Sequence, residues 1–186
     1  LYLKYTFMYS NSSNIPRYDR LIEYKDDIPK YAVWEYGPQK WNMHSLQIHS
    51  SKANKYFNNL NLIISYQDIE ESRIDRKIYS VTLRTRTEEV DASSINLDME
   101  KVISEKQSLY YGFEGTYNFV NSSGYSENIF SNEKETTASR YPDGGTNYFS
   151  SAFYMSYKNI ISEKLVIQAG SSYNYFKLKS LFKQNI

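Results

Sequence analysis

The sequence predicts an all-β fold: an arc of about seven antiparallel strands of a transmembrane up-and-down β-barrel, incomplete as given. Apolar residues recur at every second position and almost nowhere at helical spacing. The alternating stretches are long, closer to the ~9–11 residues a tilted strand needs to cross a bilayer than to the ~5–6 of an average strand. Short and long connections alternate along the chain. In a meander this places every long loop at one rim and every short turn at the other, the asymmetry of bacterial outer-membrane barrels.

The first strand, at about 1–10, opens the chain with the alternating run Leu1, Leu3, Tyr5, Phe7 and Tyr9. No leader precedes it, so the chain reads as a piece of a longer one. A weaker second strand, 40–51, is marked by Leu46 and Ile48. The third, 56–67, sets Leu60, Leu62, Ile64 and Tyr66 against Asn59, Asn61, Ser65 and Gln67. The fourth, 84–102, sets Ile95, Leu97 and Met99 against Asn96, Asp98 and Glu100. The fifth, 108–121, is the clearest: Leu109, Tyr111, Phe113, Gly115, Tyr117 and Phe119 on one face, Gly112, Glu114, Thr116 and Asn118 on the other. The sixth, 147–160, carries Phe149, Phe153, Met155 and Tyr157, and the seventh, 164–177, Leu165, Ile167, Ala169, Tyr173 and Tyr175. Lys177 to Ile186 then runs out without a closing element.

Ser51 to Lys55, Ser104 to Gln107 and Ile161 to Glu163 read as tight polar turns. The connections 11–39, 68–83 and 122–146 read as long loops on one rim, all within a single partial barrel domain spanning 1–186. Aromatic residues gather near strand ends. Tyr110 and Tyr111 lie beside a short turn, and Tyr117, Phe119, Tyr148, Phe149, Tyr173 and Tyr175 lie towards the long loops, as two interfacial girdles require. Seven strands with two open edges cannot stand in hydrocarbon, where each unpaired backbone group costs several kcal/mol, so the arc belongs to a larger closed barrel.

Composition narrows the function. Among 186 residues, 22 Lys and Arg face 21 Asp and Glu with interleaved signs, leaving no basic face for nucleic acid. The absence of Cys removes disulfide frameworks, thiolate catalysis and Cys-ligated metals. No apolar run approaches the ~20 residues of a membrane-spanning helix. His44 and His49, an odd interval apart on one strand, point to opposite faces and cannot share a metal. With no catalytic triad spacing, nucleophile elbow, P-loop or dinucleotide fingerprint, neither an enzyme nor a cofactor is expected.

The candidate ligand contacts lie in the loops. Ile15 to Leu21 and Ala32 to Lys40 combine Arg17, Tyr18, Arg20, Trp34 and Tyr36, a mixture suited to holding a planar or polar ligand by stacking and charge-assisted hydrogen bonds. Arg140 and Tyr141 open the turn sequence Arg140-Tyr141-Pro142-Asp143-Gly144-Gly145. The dense charges of Asp68 to Lys77 read as a solvated loop held by internal ion pairs, or as polar contact with a ligand or surface polysaccharide.

Four segments carry a family resemblance: Asn14-Ile15-Pro16-Arg17-Tyr18-Asp19-Arg20-Leu21; Trp34-Glu35-Tyr36-Gly37-Pro38-Gln39; Tyr66-Gln67-Asp68-Ile69-Glu70-Glu71-Ser72-Arg73; and the turn at 140–145. In order and spacing they resemble the middle of the barrel of TonB-dependent outer-membrane receptors of the Bacteroidetes type. The resemblance implies a barrel of about 22 strands with a plugged lumen. It also implies uptake of a scarce nutrient such as a ferric siderophore, haem or cobalamin, with outer-membrane lipid and the TonB complex as partners. TonB would act through a plug and TonB box that these residues do not include, so the segment alone should neither gate nor pump. The rival readings are a plug-less outer-membrane porin or adhesin barrel, and a soluble β-sandwich binding carbohydrate through Trp34 and nearby tyrosines.

Overall fold

The computed structural model describes residues 1–183; the last of the carboxy-terminal run, 184–186, lies outside the described residues. The elements in chain order are β1 (Tyr2–Asn11), β2 (Ile15–Pro16), α1 (Tyr18–Leu21), β3 (Tyr24–Lys25), β4 (Ile28–Pro29), β5 (Tyr31–Tyr36), β6 (Lys40–Ser50), β7 (Asn59–Lys77), β8 (Thr82–Ser104), β9 (Gln107–Asn128), β10 (Lys134–Thr136), β11 (Thr146–Ser162) and β12 (Leu165–Ser180). One ten-stranded antiparallel sheet follows the path β1-β6-β7-β8-β9-β11-β12. These are the seven expected strands, each paired to its neighbour along the chain.

The period of two becomes two chemically distinct faces. On one, the register aligns His44, Tyr66, Ser93, Tyr117 and Phe149 in a single row. Below it run the rows Leu46, Ile64, Ile95, Gly115 and then Ile48, Leu62, Leu97, Phe113, Phe153. Leu60, Met99, Tyr111 and Met155 follow. Above it the chemistry changes to Asn42, Asp68, Asp91, Phe119 and Asn147. Leu109 to Phe119 rises ~25 Å along the normal if the strand tilts by about 40°, the height of a barrel's apolar band. The tyrosines at its two edges point away from its middle. The Tyr66 and Tyr117 hydroxyls donate upward to Asp91 and Asn147, and the Tyr111 hydroxyl donates to the Tyr56 carbonyl near the short-turn rim at 2.7 Å.

The other face carries Ser45, Ser65, Ser94, Thr116 and Ser150 in one row, with Ser65 and Ser94 hydrogen-bonded at 2.7 Å. Apolar residues on it include a row near the long-connection rim, Trp41, Ile69, Val90 and Val120, with Ile63 lower on β7 and Phe176 and Leu178 on β12. Among the described residues no hydrophobic side chain is buried. Among the described residues the second sheet is the two-stranded β3–β4 pair of the first loop, too small to cover the apolar face as a β-sandwich requires.

Of the expected long loops, 68–83 is largely strand and 122–146 is strand in part. Residues 68–77 continue β7 and 82–83 begin β8, leaving only 78–81 as a turn, and β9 continues from 122 to Asn128. The apolar period fades there because charged and polar residues take the place of the apolar ones, while the backbone ladder and cross-strand charge pairs persist. The third, 11–39, returns to the sheet as β5, which lies beside β7 above β6. Gly37 marks the break between β5 and β6. Its N–H donates to the Ser72 carbonyl at 2.9 Å, and a Cβ there would overlap the Ser72 hydroxyl. The connections at 51–58, 105–106 and 163–164 occupy the opposite rim.

One joint on the polar face fixes the lower sheet. Gly112 of β9 lies between Asp98 and Tyr154, and the Tyr154 ring crosses it to donate to the Asp98 carboxylate. A Cβ on Gly112 would collide with the Leu97 carbonyl and the Tyr154 ring. Gly112→Val is therefore expected to displace Tyr154 and destabilise the sheet by ~1–3 kcal/mol, read as a lower urea midpoint of the full-length protein.

Candidate functional site

Beyond the apolar band, β7, β8 and β9 rise as a strand extension whose polar face holds a ladder of charge. Its rungs are Glu71 opposite Glu88, Arg73 opposite Arg86, and Asp75 opposite Arg84. Like charges face each other on the first two rungs, which is destabilising unless other groups intervene. Asp75, only 4% exposed, accepts from both Arg84 and Arg86. Arg73 donates to Glu71 at 3.1 Å.

The Glu71–Glu88 rung is closed from the following loop. After β10, the chain at 137–145 passes over the polar face: the Thr137 N–H donates to the Gly124 carbonyl at 3.0 Å, and the Tyr141 N–H donates to the Ser122 hydroxyl at 3.3 Å. Ser122 is the most buried side chain of the described residues, at 2% exposure. Gly124 has no room for a Cβ, which would meet the Thr137 and Ala138 carbonyls. Arg140 thereby reaches both carboxylates, Glu88 at 3.2 Å and Glu71 at 3.5 Å. Glu88 is 4% exposed, and its Oε1 has no partner.

The first loop builds the adjoining part. β2 pairs with β5, so the Arg17 N–H donates to the Trp34 carbonyl at 2.9 Å and the guanidinium lies over two rings, 5.3 Å from Trp34 and 5.4 Å from Tyr36. Trp34 and Tyr36 meet edge-on at 5.3 Å. Arg17 also donates to the Tyr36 hydroxyl at 2.7 Å and, through two nitrogens, to Asp19. Its hydrogen bonds hold the Asp19 carboxyl below its ordinary range, while Asp19 pushes the Arg17 guanidinium up. Arg20 stands 5.8 Å over Trp34 and pairs with Glu23, whose carboxyl is lowered by hydrogen bonds from Arg20 and then Lys30. All these charges persist at neutral pH.

The two loops meet through Arg73 and Glu71 of the 68–77 charge cluster. Arg73, like Arg17, lies 5.4 Å from the centre of the Tyr36 ring and also bonds Glu71, which Arg140 holds. Arg17, Trp34, Tyr36 and Arg140 thus belong to one continuous chain of guanidiniums, rings and carboxylates. Arg20 joins at its edge. Tyr141 joins at the other edge, its ring 5.5 Å from the Arg140 guanidinium, while Tyr18, 73% exposed, stands outside. Glu71 and Arg73 lie in the 68–77 charge cluster that reads as a solvated loop or as polar ligand contact, and Glu88 is the member the sequence did not single out. Asp75 with Arg84 and Arg86 forms a separate group on the next rungs. The signal within the cluster was the period-two spacing of Glu71, Arg73 and Asp75 in what reads as a charge-rich loop.

Half-exposed guanidiniums between aromatic faces offer planar donors for carboxylate, phosphate or similar oxygen ligands, and π-surfaces for flat ones. The histidines take no part: His44 lies on the apolar face bonded to Tyr5 at 2.7 Å, and His49 on the other, 3.1 Å from the Ser51 hydroxyl. No protein-family profile and no curated protein sequence matches this chain.

Proposed function

We propose that this chain is a stretch of the barrel wall of a TonB-dependent outer-membrane receptor that takes up a scarce nutrient such as a ferric siderophore, haem or cobalamin. The observation that carries the membrane reading is the uncovered apolar face, bounded at both edges by tyrosines whose hydroxyls point outward, on a sheet with no buried hydrophobic side chain among the described residues. A face this apolar and this large needs an apolar solvent. The polar face then lines the lumen, and the strand extension with its Arg17–Trp34–Tyr36 and Arg140 groups stands outside the cell. A receptor is favoured over an open porin by the four resembling segments, which fall largely in this extension and supply most of its ligand-capable groups. The plug and TonB contact belong to the parent protein.

Deleting the gene for the full-length protein and measuring uptake of radiolabelled haem, ferric siderophores and cobalamin, with and without a protonophore, tests this. Uptake of one of them that needs both the gene and the proton motive force is expected. An outer-membrane protein that passes small solutes equally well with the protonophore present would be a porin instead.

A further inference from the structure

The apolar face is not smooth. Within its upper tyrosine row and just below it, the small residues Ser93 of β8 and Gly115 of β9 leave a notch of about 540 Å³, within the ~300–1,000 Å³ of small-molecule sites. Gly115 forms part of its floor, where even a Cβ would come within 3.1 Å of Phe113 and 3.2 Å of Ile95.

Its walls are fixed rather than free. Tyr66 and Tyr117 are tied at their hydroxyls to Asp91 and Asn147, Tyr5 is bonded to His44, and Phe113 packs on Phe153 at 4.7 Å between centroids. Rings held in this way lose little freedom when something settles against them, which favours a defined occupant over passing solvent.

The charge at the mouth selects among apolar occupants. Phe149, at one end of the notch, is paired across β11–β12 with Lys177, and Lys179 lies opposite Asn147 on the next rung of the same face. Asp68 and Asp91 stand over Tyr66 towards the other end, where Asp91 is occupied by the tyrosine hydroxyl. An anionic head is therefore drawn to the β12 side. An apolar slot in a face turned to lipid, opening towards two lysines at the level where headgroups begin, matches a chain below and a phosphate above.

We propose that this notch holds one acyl chain of a phosphate-headed lipid from the leaflet on the long-connection side, with Lys177 and Lys179 meeting its phosphate. This rests on the membrane reading above.

The test is native mass spectrometry of the full-length protein, extracted from outer membranes, delipidated in detergent and titrated with dipalmitoylphosphatidylglycerol. One retained lipid is expected for the wild type. Ser93→Leu, which fills the notch with a side chain the lipid face accepts, should lower the retained fraction about tenfold. Lys177→Gln with Lys179→Gln, which leaves the notch open and the fold untouched, should lower it severalfold. Equal retention by the wild type and both variants, in protein recovered from the outer membrane, overturns the lipid site and leaves the membrane reading standing. Recovery of the full-length protein in the soluble fraction overturns both.

Discussion

Arginine at Phe113 is expected to destabilise the full-length barrel by ~2–4 kcal/mol, and arginine at Thr116 by no more than ~1 kcal/mol. The two positions are three residues apart on β9 and on opposite faces. Phe113 sits midway in the apolar band, between Leu97 and Phe153, so a guanidinium there has neither water nor a partner within the band. Thr116 lies between Ser94 and Ser150 on the polar face, where the same side chain stays wet. Urea unfolding of the refolded protein in lipid vesicles reads the difference. Equal destabilisation by the two arginines would mean that the faces are assigned wrongly or that the sheet is not in lipid.

Removing Arg140 is the second large expected effect. Glu71 and Glu88 face each other directly, and Arg140 is the cation that bridges them. Arg140→Ala leaves a nearly buried Glu88 with no bonded cation beside a like charge. Breaking a fully buried pair costs ~3–5 kcal/mol, and because Arg140 and Glu71 keep some exposure we expect ~2 kcal/mol here. The loss should centre on 137–145, seen as faster amide hydrogen exchange and faster proteolysis there. Glu88→Gln in the Arg140→Ala background removes the stranded charge and should restore about half of the loss. If the double variant is no better than Arg140→Ala alone, the clasp is not electrostatic.

What the sequence made legible was what burial chemistry writes with a fixed period. Within the band, each strand alternates because one face is apolar and the other polar, and Leu109 to Phe119 could be assigned residue by residue. Above the band that contrast ends, and with it the signal. Asp68 to Lys77 read as a loop because charge density is a poor marker of backbone conformation, although Glu71, Arg73 and Asp75 kept the period of two. The contact candidates divided for a similar reason. Arg17, Trp34 and Tyr36 are close in sequence and joined by the β2–β5 pairing, so composition pointed to them together. The Arg140–Glu88 bond spans 52 residues and depends on a loop crossing the sheet, which no local pattern encodes.

The unbroken neighbour-to-neighbour path of the sheet has a consequence for how the chain assembles. Every pair along it is a hairpin, so the entropy of bringing two strands together is set by the length of the connection alone. The β8–β9 and β11–β12 pairs are each closed by two residues, 105–106 and 163–164, the smallest closures on the path, and β8–β9 carries its longest ladder, from Thr82–Asn128 to Ser104–Gln107. The β1–β6 pair must wait for 12–39 to be gathered in. Pairing is thus least costly at β8–β9 and β11–β12 and spreads from there. The strand left for last is β1, which with β12 forms the two edges of the sheet among the described residues.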